Sequence, residues 1–261
     1  MNGARFKKYL CPALLCLTVC ACSNLGKPTA DSKGRGNNDF ADQGAPLLSP
    51  AQQKEQERKL QLKLLAQMID QGAYYAALAH SDAYEKSWGS DPQSKLLKAD
   101  ALRLTQQLDP AQQNYQELVT TNSKVKAQAL HGLGKVAAQR GQWKTAETHF
   151  MQALKDNPLN AGAYNDLGLV YLMLNQRDAA FVALKKADEL DPERNQAKAN
   201  LALFAALYND DVLFEALANQ LAWKPESKAA VKLQAWKIRS EHSGTSSTQS
   251  NVLAEKYNSR N

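Results

Sequence analysis

Between Ala127 and Pro192 one residue pattern is written twice, 34 positions apart. The first copy runs Leu130, Leu133, Gly134, Ala137, Gly141, Ala146, Phe150, Ala153 and Pro158; the second runs Tyr164, Leu167, Gly168, Tyr171, Asn175, Ala180, Leu184, Ala187 and Pro192. Leu130, Leu133 and Ala137, then Ala146, Phe150 and Ala153, follow helical spacing in two separate runs. Gly141 falls between the runs, where a left-handed residue ends one helix before the next begins. Gly134 and Gly168 lie in mid-helix at a cost of about 1 kcal/mol against Ala. That cost is tolerated where another helix approaches closely, with Ala146/Ala180 and Ala153/Ala187 expected as the small partners. Pro158 and Pro192 cannot continue a helix and close each unit. Each unit is a helical hairpin that leaves one face unburied until a neighbour stacks on it, so the flanks must hold further copies.

They do, in weaker form. Ala77, Ala111, Ala146 and Ala180 recur at intervals of 34, 35 and 34. Leu60, Leu64, Leu65 and Met68 form one stripe, Gly72 fills the turn position, and Ala76, Ala77, Leu78 and Tyr84 form the next. Leu96, Leu97, Ala99 and Leu102 precede a turn around Gln106–Asp109, followed by Ala111, Tyr115 and Leu118. After Pro192 come Leu201–Leu203, Asn209 at the turn position and an apolar run to Trp223. Ser227–Arg239 closes the array as a terminal helix with Ala229, Ala230, Leu233 and Trp236 on one face. This register resembles the tetratricopeptide repeat (TPR). The resemblance implies an all-α solenoid of about five helical hairpins plus a C-terminal capping helix over residues 51–241, with a polar tail at 242–261.

The first 21 residues read as an export signal: Arg5, Lys7 and Lys8 precede an apolar run, Tyr9–Ala21, too short to span a bilayer. The run ends Val19-Cys20-Ala21-Cys22, which resembles the lipobox of bacterial lipoproteins and implies acylation of Cys22. Ser23 beside it, by resemblance to bacterial sorting signals, implies the outer membrane. The four cysteines are Cys11, Cys16, Cys20 and Cys22. Processing leaves Cys22 alone and lipid-bound, which excludes a disulfide framework or a thiolate nucleophile. Ser23–Pro50 is polar and Gly-rich, a linker with a span of ~30 Å as a flexible coil. The full chain carries 32 Lys and Arg against 26 Asp and Glu, or +6. Loss of Arg5, Lys7 and Lys8 leaves 29 against 26, or +3, scattered without a basic run, which argues against nucleic-acid binding.

Catalytic chemistry finds no foothold in the pattern. His80, His131, His149 and His242 sit in four segments without metal-ligand spacing. Gly132-Leu133-Gly134-Lys135 lacks the remainder of a phosphate loop, and its residues already serve the repeat. Asp188, Glu189 and Asp191 read as a solvated face, and Asp210-Asp211 lacks the spaced oxygen ligands of a cation loop. The expectation is a protein without enzymatic activity, cofactor, metal or small-molecule substrate. In TPR arrays the first helices of successive hairpins line a groove. The groove-facing candidates here are Gln128, His131, Lys135, Asn165, Leu169, Leu172, Gln196, Ala199 and Leu203. Leu169, Leu172 and Leu203 would form an apolar strip in that groove, or else pack beneath adjacent helices. Only Asn165 matches the two-carboxylate clamp of chaperone-tail-binding TPR proteins.

A narrower resemblance rests on particular phrases. The lipobox, the short linker, about five repeats, Ala99-Asp100-Ala101-Leu102-Arg103, Gly132-Leu133-Gly134, Asn165-Asp166-Leu167-Gly168 and Asn200-Leu201-Ala202-Leu203 look like the TadD family. These are TPR lipoproteins of the Tad (tight adherence) Flp-pilus assembly system. The resemblance covers Leu60–Leu233. It implies a periplasm-facing helper lipid-anchored in the outer membrane, acting on pilus-assembly proteins such as the secretin subunit in the manner of a pilotin. The pilotin of type IV pili and an adaptor for peptidoglycan hydrolases are the alternative assignments.

Overall fold

A computed structural model describes residues 48–121 and 124–244. The export signal, Cys22, most of the linker and the tail beyond Gly244 lie outside the described residues. Eleven helices make up the described fold. They pair in chain order as α1 (Pro50–Asp70) with α2 (Tyr74–Trp88), α3 (Pro92–Leu104) with α4 (Leu108–Thr120), and α5 (Lys126–Gln139) with α6 (Trp143–Asp156). Two more hairpins follow, α7 (Ala161–Met173) with α8 (Arg177–Leu190) and α9 (Asn195–Leu207) with α10 (Asp211–Gln220), before a terminal α11 (Pro225–His242). The all-α solenoid of five hairpins and a final helix is therefore present.

One turn chemistry repeats in all five hairpins. Gly72, Gln106, Gly141, Asn175 and Asn209 take φ of 78°, 64°, 70°, 55° and 58°. Beyond each, a backbone N–H reaches back five residues: Ala73 to Met68 (2.8 Å), Gln107 to Leu102 (2.9 Å), Gln142 to Ala137 (2.9 Å), Gln176 to Tyr171 (2.8 Å) and Asp210 to Ala205 (2.8 Å). This satisfies the carbonyls that the first helix of each hairpin leaves open. Helix starts are fixed by side chains where the sequence provides them. Ser49 and Asp91 form capping boxes ahead of Pro50 and Pro92, and Asn160 and Asp210 accept from the backbones of Ala163 and Leu213.

Packing inside the hairpins follows two columns of facing positions, complementary in volume in the first four. Leu65, Ala99, Gly134, Gly168 and Ala202 lie on the first helices; Ser81, Tyr115, Phe150, Leu184 and Ala218 lie on the second, and all ten are buried. Where the first member is Leu the second is Ser, and where the first is Gly the second is Phe or Leu. A Cβ on Gly134 would sit 2.3 Å from the Phe150 ring, and one on Gly168 would sit 2.6 Å from Leu184. The mid-helix glycines thus admit a close neighbour, as expected, but it is a large side chain rather than Ala146 or Ala180. Those alanines are themselves fully buried, with Phe214 at the equivalent position in the fifth hairpin. Gly132 makes the corresponding room between repeats, beneath the ring of Tyr115.

Both ends depart from the sequence expectation. In α1 only Leu65 is buried; Leu60 stays 63% and Leu64 39% exposed, since the described residues place no hairpin before α1 to cover them. Helix α11 buries Ala235 and Ile238, backed by Val231, whereas Ala230 is exposed and Ala229, Leu233 and Trp236 are half-buried. The reason is its docking: α11 lies chiefly along α9. The Arg239 guanidinium donates to the carbonyls of Ala206 (2.8 Å) and Leu207 (2.7 Å) at the end of α9, and His242 Nε2 bonds the Met173 carbonyl (3.2 Å) at the end of α7. The Arg239 cation at the C-terminus of α9 is favourably placed against the helix dipole.

Candidate functional site

A cavity of about 530 Å³ opens along the first helices of the later hairpins, with walls from α3, α5, α7, α9 and α11 and with Trp143 and Phe150 from α6. It lies within the roughly 300–1,000 Å³ typical of ligand pockets. Six of the nine sequence-predicted groove residues line it: His131, Lys135, Leu169, Leu172, Gln196 and Leu203. The other three, Gln128, Asn165 and Ala199, do not.

The predicted apolar strip survives only in part. Leu172 has no exposed surface and Leu203 is 4% exposed, both within the core that joins α7, α8, α9, α10 and α11. Although both reach the cavity lining, they are held in the core, as the packing alternative expects, and Leu169 alone of the three remains half-buried. Asn165 is likewise buried, and its carbonyl accepts from Asn200 Nδ2 at 2.6 Å, joining α7 to α9. It is a structural tie, because a buried amide needs its partners and has none to spare for a ligand.

Beside that amide lies an ordered polar floor. Asp166 accepts from His131 Nε2 (2.8 Å, Oδ2) and from Asn165 Nδ2 (3.2 Å, Oδ1), with Lys135 Nζ at 4.0 Å. Burial holds the His131 imidazole below its ordinary pKa, against the pull of Asp166. Burial alone would raise the Asp166 carboxyl, but the His131 hydrogen bond and the Lys135 charge outweigh it and leave that pKa lowered. The consistent arrangement is a neutral imidazole donating from Nε2 to an ionised carboxylate. The imidazole also meets the Phe150 ring edge-on at 5.4 Å between centroids, which fixes its plane.

The spacing argument did not single out Arg103, Asp166, Trp143, Arg194, Gln234 or Ile238, all of which line the cavity. Asp166 sits one residue beyond Asn165, so a helix-face reading could have found it. Arg194 belongs to the connection before α9, and Gln234 and Ile238 enter only because α11 docks on α9. Arg103 keeps its guanidinium 3.6 Å from Asp100, which in turn accepts from the Tyr115 hydroxyl at 2.6 Å.

Other candidate chemistry resolves into packing. Among the described residues no three His, Cys, Asp or Glu side chains are grouped to hold a metal ion, and no helix is long and apolar enough to cross a membrane. Asp188, expected on a solvated face, pairs with Lys198 of α9 at 3.1 Å and so links consecutive hairpins. Asp210 caps α10.

Comparison with known proteins agrees with this architecture. The family model described as the tetratricopeptide repeat matches residues 149–181. The TPR repeat-containing protein PA4299 of Pseudomonas aeruginosa is 30% identical over 162 residues, 61% of this chain and 63% of that protein. The chain therefore spans under two thirds of that relative's length. Among solved structures, PilF of Pseudomonas aeruginosa is similar with a TM-score of 0.58 at 14% identity, over 78% of this chain and 90% of that one. TTC0263 of Thermus thermophilus is similar with a TM-score of 0.52 at 20% identity, over 77% and 98%. At such identities the likeness speaks for the fold alone. The helical hairpins and their shared turn give the chain a tetratricopeptide-repeat-like architecture, and it is similar to several bacterial proteins built that way.

Proposed function

We propose that the chain is a non-enzymatic outer-membrane lipoprotein, anchored through Cys22 and facing the periplasm, whose solenoid binds a protein partner during Tad/Flp pilus assembly. The expected partner is the secretin subunit, which the protein would support as a pilotin does. The observation that carries the binding role is the open cavity along the first helices, half apolar and half polar. Its Asp166–His131 pair, held from behind by Asn165, is a preorganised surface on which an incoming segment has few side chains to immobilise. The membrane and pilus parts rest on the lipobox and on the phrases shared with TadD proteins, and Ser23–Pro50 would let the solenoid reach its partner from the membrane.

The test is photo-crosslinking in cells. A photoreactive amino acid replaces Gln139 or Gln196, both exposed and bordering the cavity, or Val182, exposed on α8 and not part of its lining. The expected result is crosslinking to the secretin subunit from Gln139 or Gln196 and not from Val182. Secretin captured equally from Val182 would remove the cavity from the reading. A peptidoglycan hydrolase or a type IV pilus component in its place would replace the Tad assignment by one of the two alternatives.

A further inference from the structure

We infer that the cavity selects acidic peptides: segments in which a carboxylate lies close to an apolar or aromatic side chain. This deepens the proposed function. It depends on the cavity being the binding site, not on which envelope machine provides the partner.

The charges around the cavity do not balance. Its lining holds three permanent cations, Arg103, Lys135 and Arg194, against one carboxylate, Asp166. That carboxylate is already engaged by His131 at 2.8 Å and Asn165 at 3.2 Å. Lys135 approaches it only to 4.0 Å and keeps 34% of its side chain exposed. Arg194 is exposed, and no carboxylate among the described residues lies within ion-pair distance of it, although Asp191 and Glu193 precede it in the same connection. Arg103 is partly matched by Asp100 at 3.6 Å, yet its Nε is buried without a hydrogen-bond partner. Two cations are thus left underused beside a space of about 530 Å³, whereas Lys98, Lys126 and Lys198 each pair with a carboxylate of a neighbouring helix.

The backbone leaves room where these groups converge. A Cβ placed on Gly162 would lie 3.3 Å from Asn160 Oδ1, 3.5 Å from His131 Cε1 and 3.8 Å from an Arg194 Nη. With hydrogen there instead, the approach to the Arg194 guanidinium stays open beside the imidazole. A guanidinium presents paired donors to a carboxylate, a geometry that gives selectivity as well as attraction. Leu169, Met173 and Ile238 supply the apolar part of the wall. Ile238 stands on α11, which is pinned across the ends of α9 and α7, so the wall on that side is fixed. An acidic group with an apolar neighbour satisfies both halves of this surface, whereas a basic segment would meet Lys135 and Arg194 in like-charge repulsion.

The experiment is a selection with the purified full chain from a random dodecapeptide library displayed on phage. Recovered peptides are then synthesised and their affinities measured at low and physiological salt. We expect enrichment of Asp and Glu, each beside an apolar or aromatic residue, and binding that weakens with added salt. Lys135→Glu/Arg194→Glu should weaken the acidic peptides at least tenfold and lose the acidic enrichment, and Lys135→Gln/Arg194→Gln should weaken them in the same direction. Lys155→Glu/Lys186→Glu, which alters net charge equally at exposed sites on α6 and α8, should leave them unchanged; all variants are checked for native helicity. No enriched peptide, enrichment without acidic bias, or acidic binding untouched by the cavity variants would each overturn the inference. Acidic selection without a secretin crosslink would remove the pilus assignment and leave this inference standing. A secretin crosslink from Gln139 without acidic bias would do the reverse.

Discussion

Replacing Gly168 by alanine isolates the close contact between the two helices of the fourth hairpin. In a solvent-exposed helix interior the change would stabilise by about 1 kcal/mol through helix propensity. Here the new Cβ would lie 2.6 Å from both Cγ and Cδ2 of Leu184 and 3.3 Å from its backbone nitrogen. Ordinary carbon contacts fall at about 3.5–4.0 Å, so Leu184 must retreat by roughly an ångström. It has nowhere to go: the side chain is fully buried, Cγ is its branch point, and the nearby backbone atom belongs to α8 itself. Overpacking of this kind costs about 1–3 kcal/mol, and the enclosed branch point argues for the upper half of that range. The net loss should be about 1–2 kcal/mol, which lowers Tm by roughly 2–8 °C in a chain of this size. Leu184→Ala alone should cost about 2–5 kcal/mol through the cavity it leaves. The double variant should lose at least 1 kcal/mol less than the two single losses together, because each change relieves the other. It would recreate the Ala202/Ala218 pairing that the fifth hairpin already uses at these positions. Urea and thermal unfolding followed by circular dichroism give the values. A Gly168→Ala protein as stable as the parent, or strict additivity in the double variant, would refute the close-contact argument.

Asp91→Ala should destabilise by about 2–3 kcal/mol in the same assay. One carboxylate oxygen caps α3 through Gln93 and Ser94, while the other accepts from the Tyr84 hydroxyl at 2.6 Å; Tyr84 itself is pushed up to about 12 by burial and by Asp91. Acid should weaken the fold in two stages. His131 and His149 are held below their usual 6.5 by burial, so the stability they contribute is complete above pH 6.5 and lost as pH falls toward their folded values. Asp166, lowered from 3.8, contributes stability above that value and loses it on further acidification. Tm should therefore fall between pH 7.5 and 5.5, less so in His131→Gln, and a flat profile would contradict the buried-imidazole assignment. Cys22→Ser removes the thiol that acylation requires and should release the protein from outer membranes in fractionation; undiminished membrane retention would count against the lipobox.

The repeating part of the fold was legible because its signals are local and recur. A left-handed turn residue at Gly72, Gln106, Gly141, Asn175 and Asn209 means the same thing in every hairpin, and a glycine or alanine opposite a bulky partner recurs in the second, third and fourth. Sequence spacing therefore fixed hairpin number, register and the closeness of Gly134 and Gly168 to a neighbouring helix. It could not name that neighbour, since Phe150 and Ala146 lie on one helix and only the crossing geometry sets which of them meets Gly134. The site was less legible, because a groove position shows which side of a helix a residue occupies and not whether a neighbour covers it. Leu169 and Leu172 fall at adjacent groove positions on α7 and both line the cavity, yet one keeps exposed surface and the other is fully buried in the core shared with α9 and α11. Periodicity is also silent where the repeat stops. Leu60 and Leu64 stay exposed on α1, while Ile238 and Gln234 become cavity wall because α11 docks along α9, anchored by Arg239 and His242 on the open carbonyls of two first helices. Those contacts join residues that no 34-residue interval relates, so only the tertiary structure could decide them.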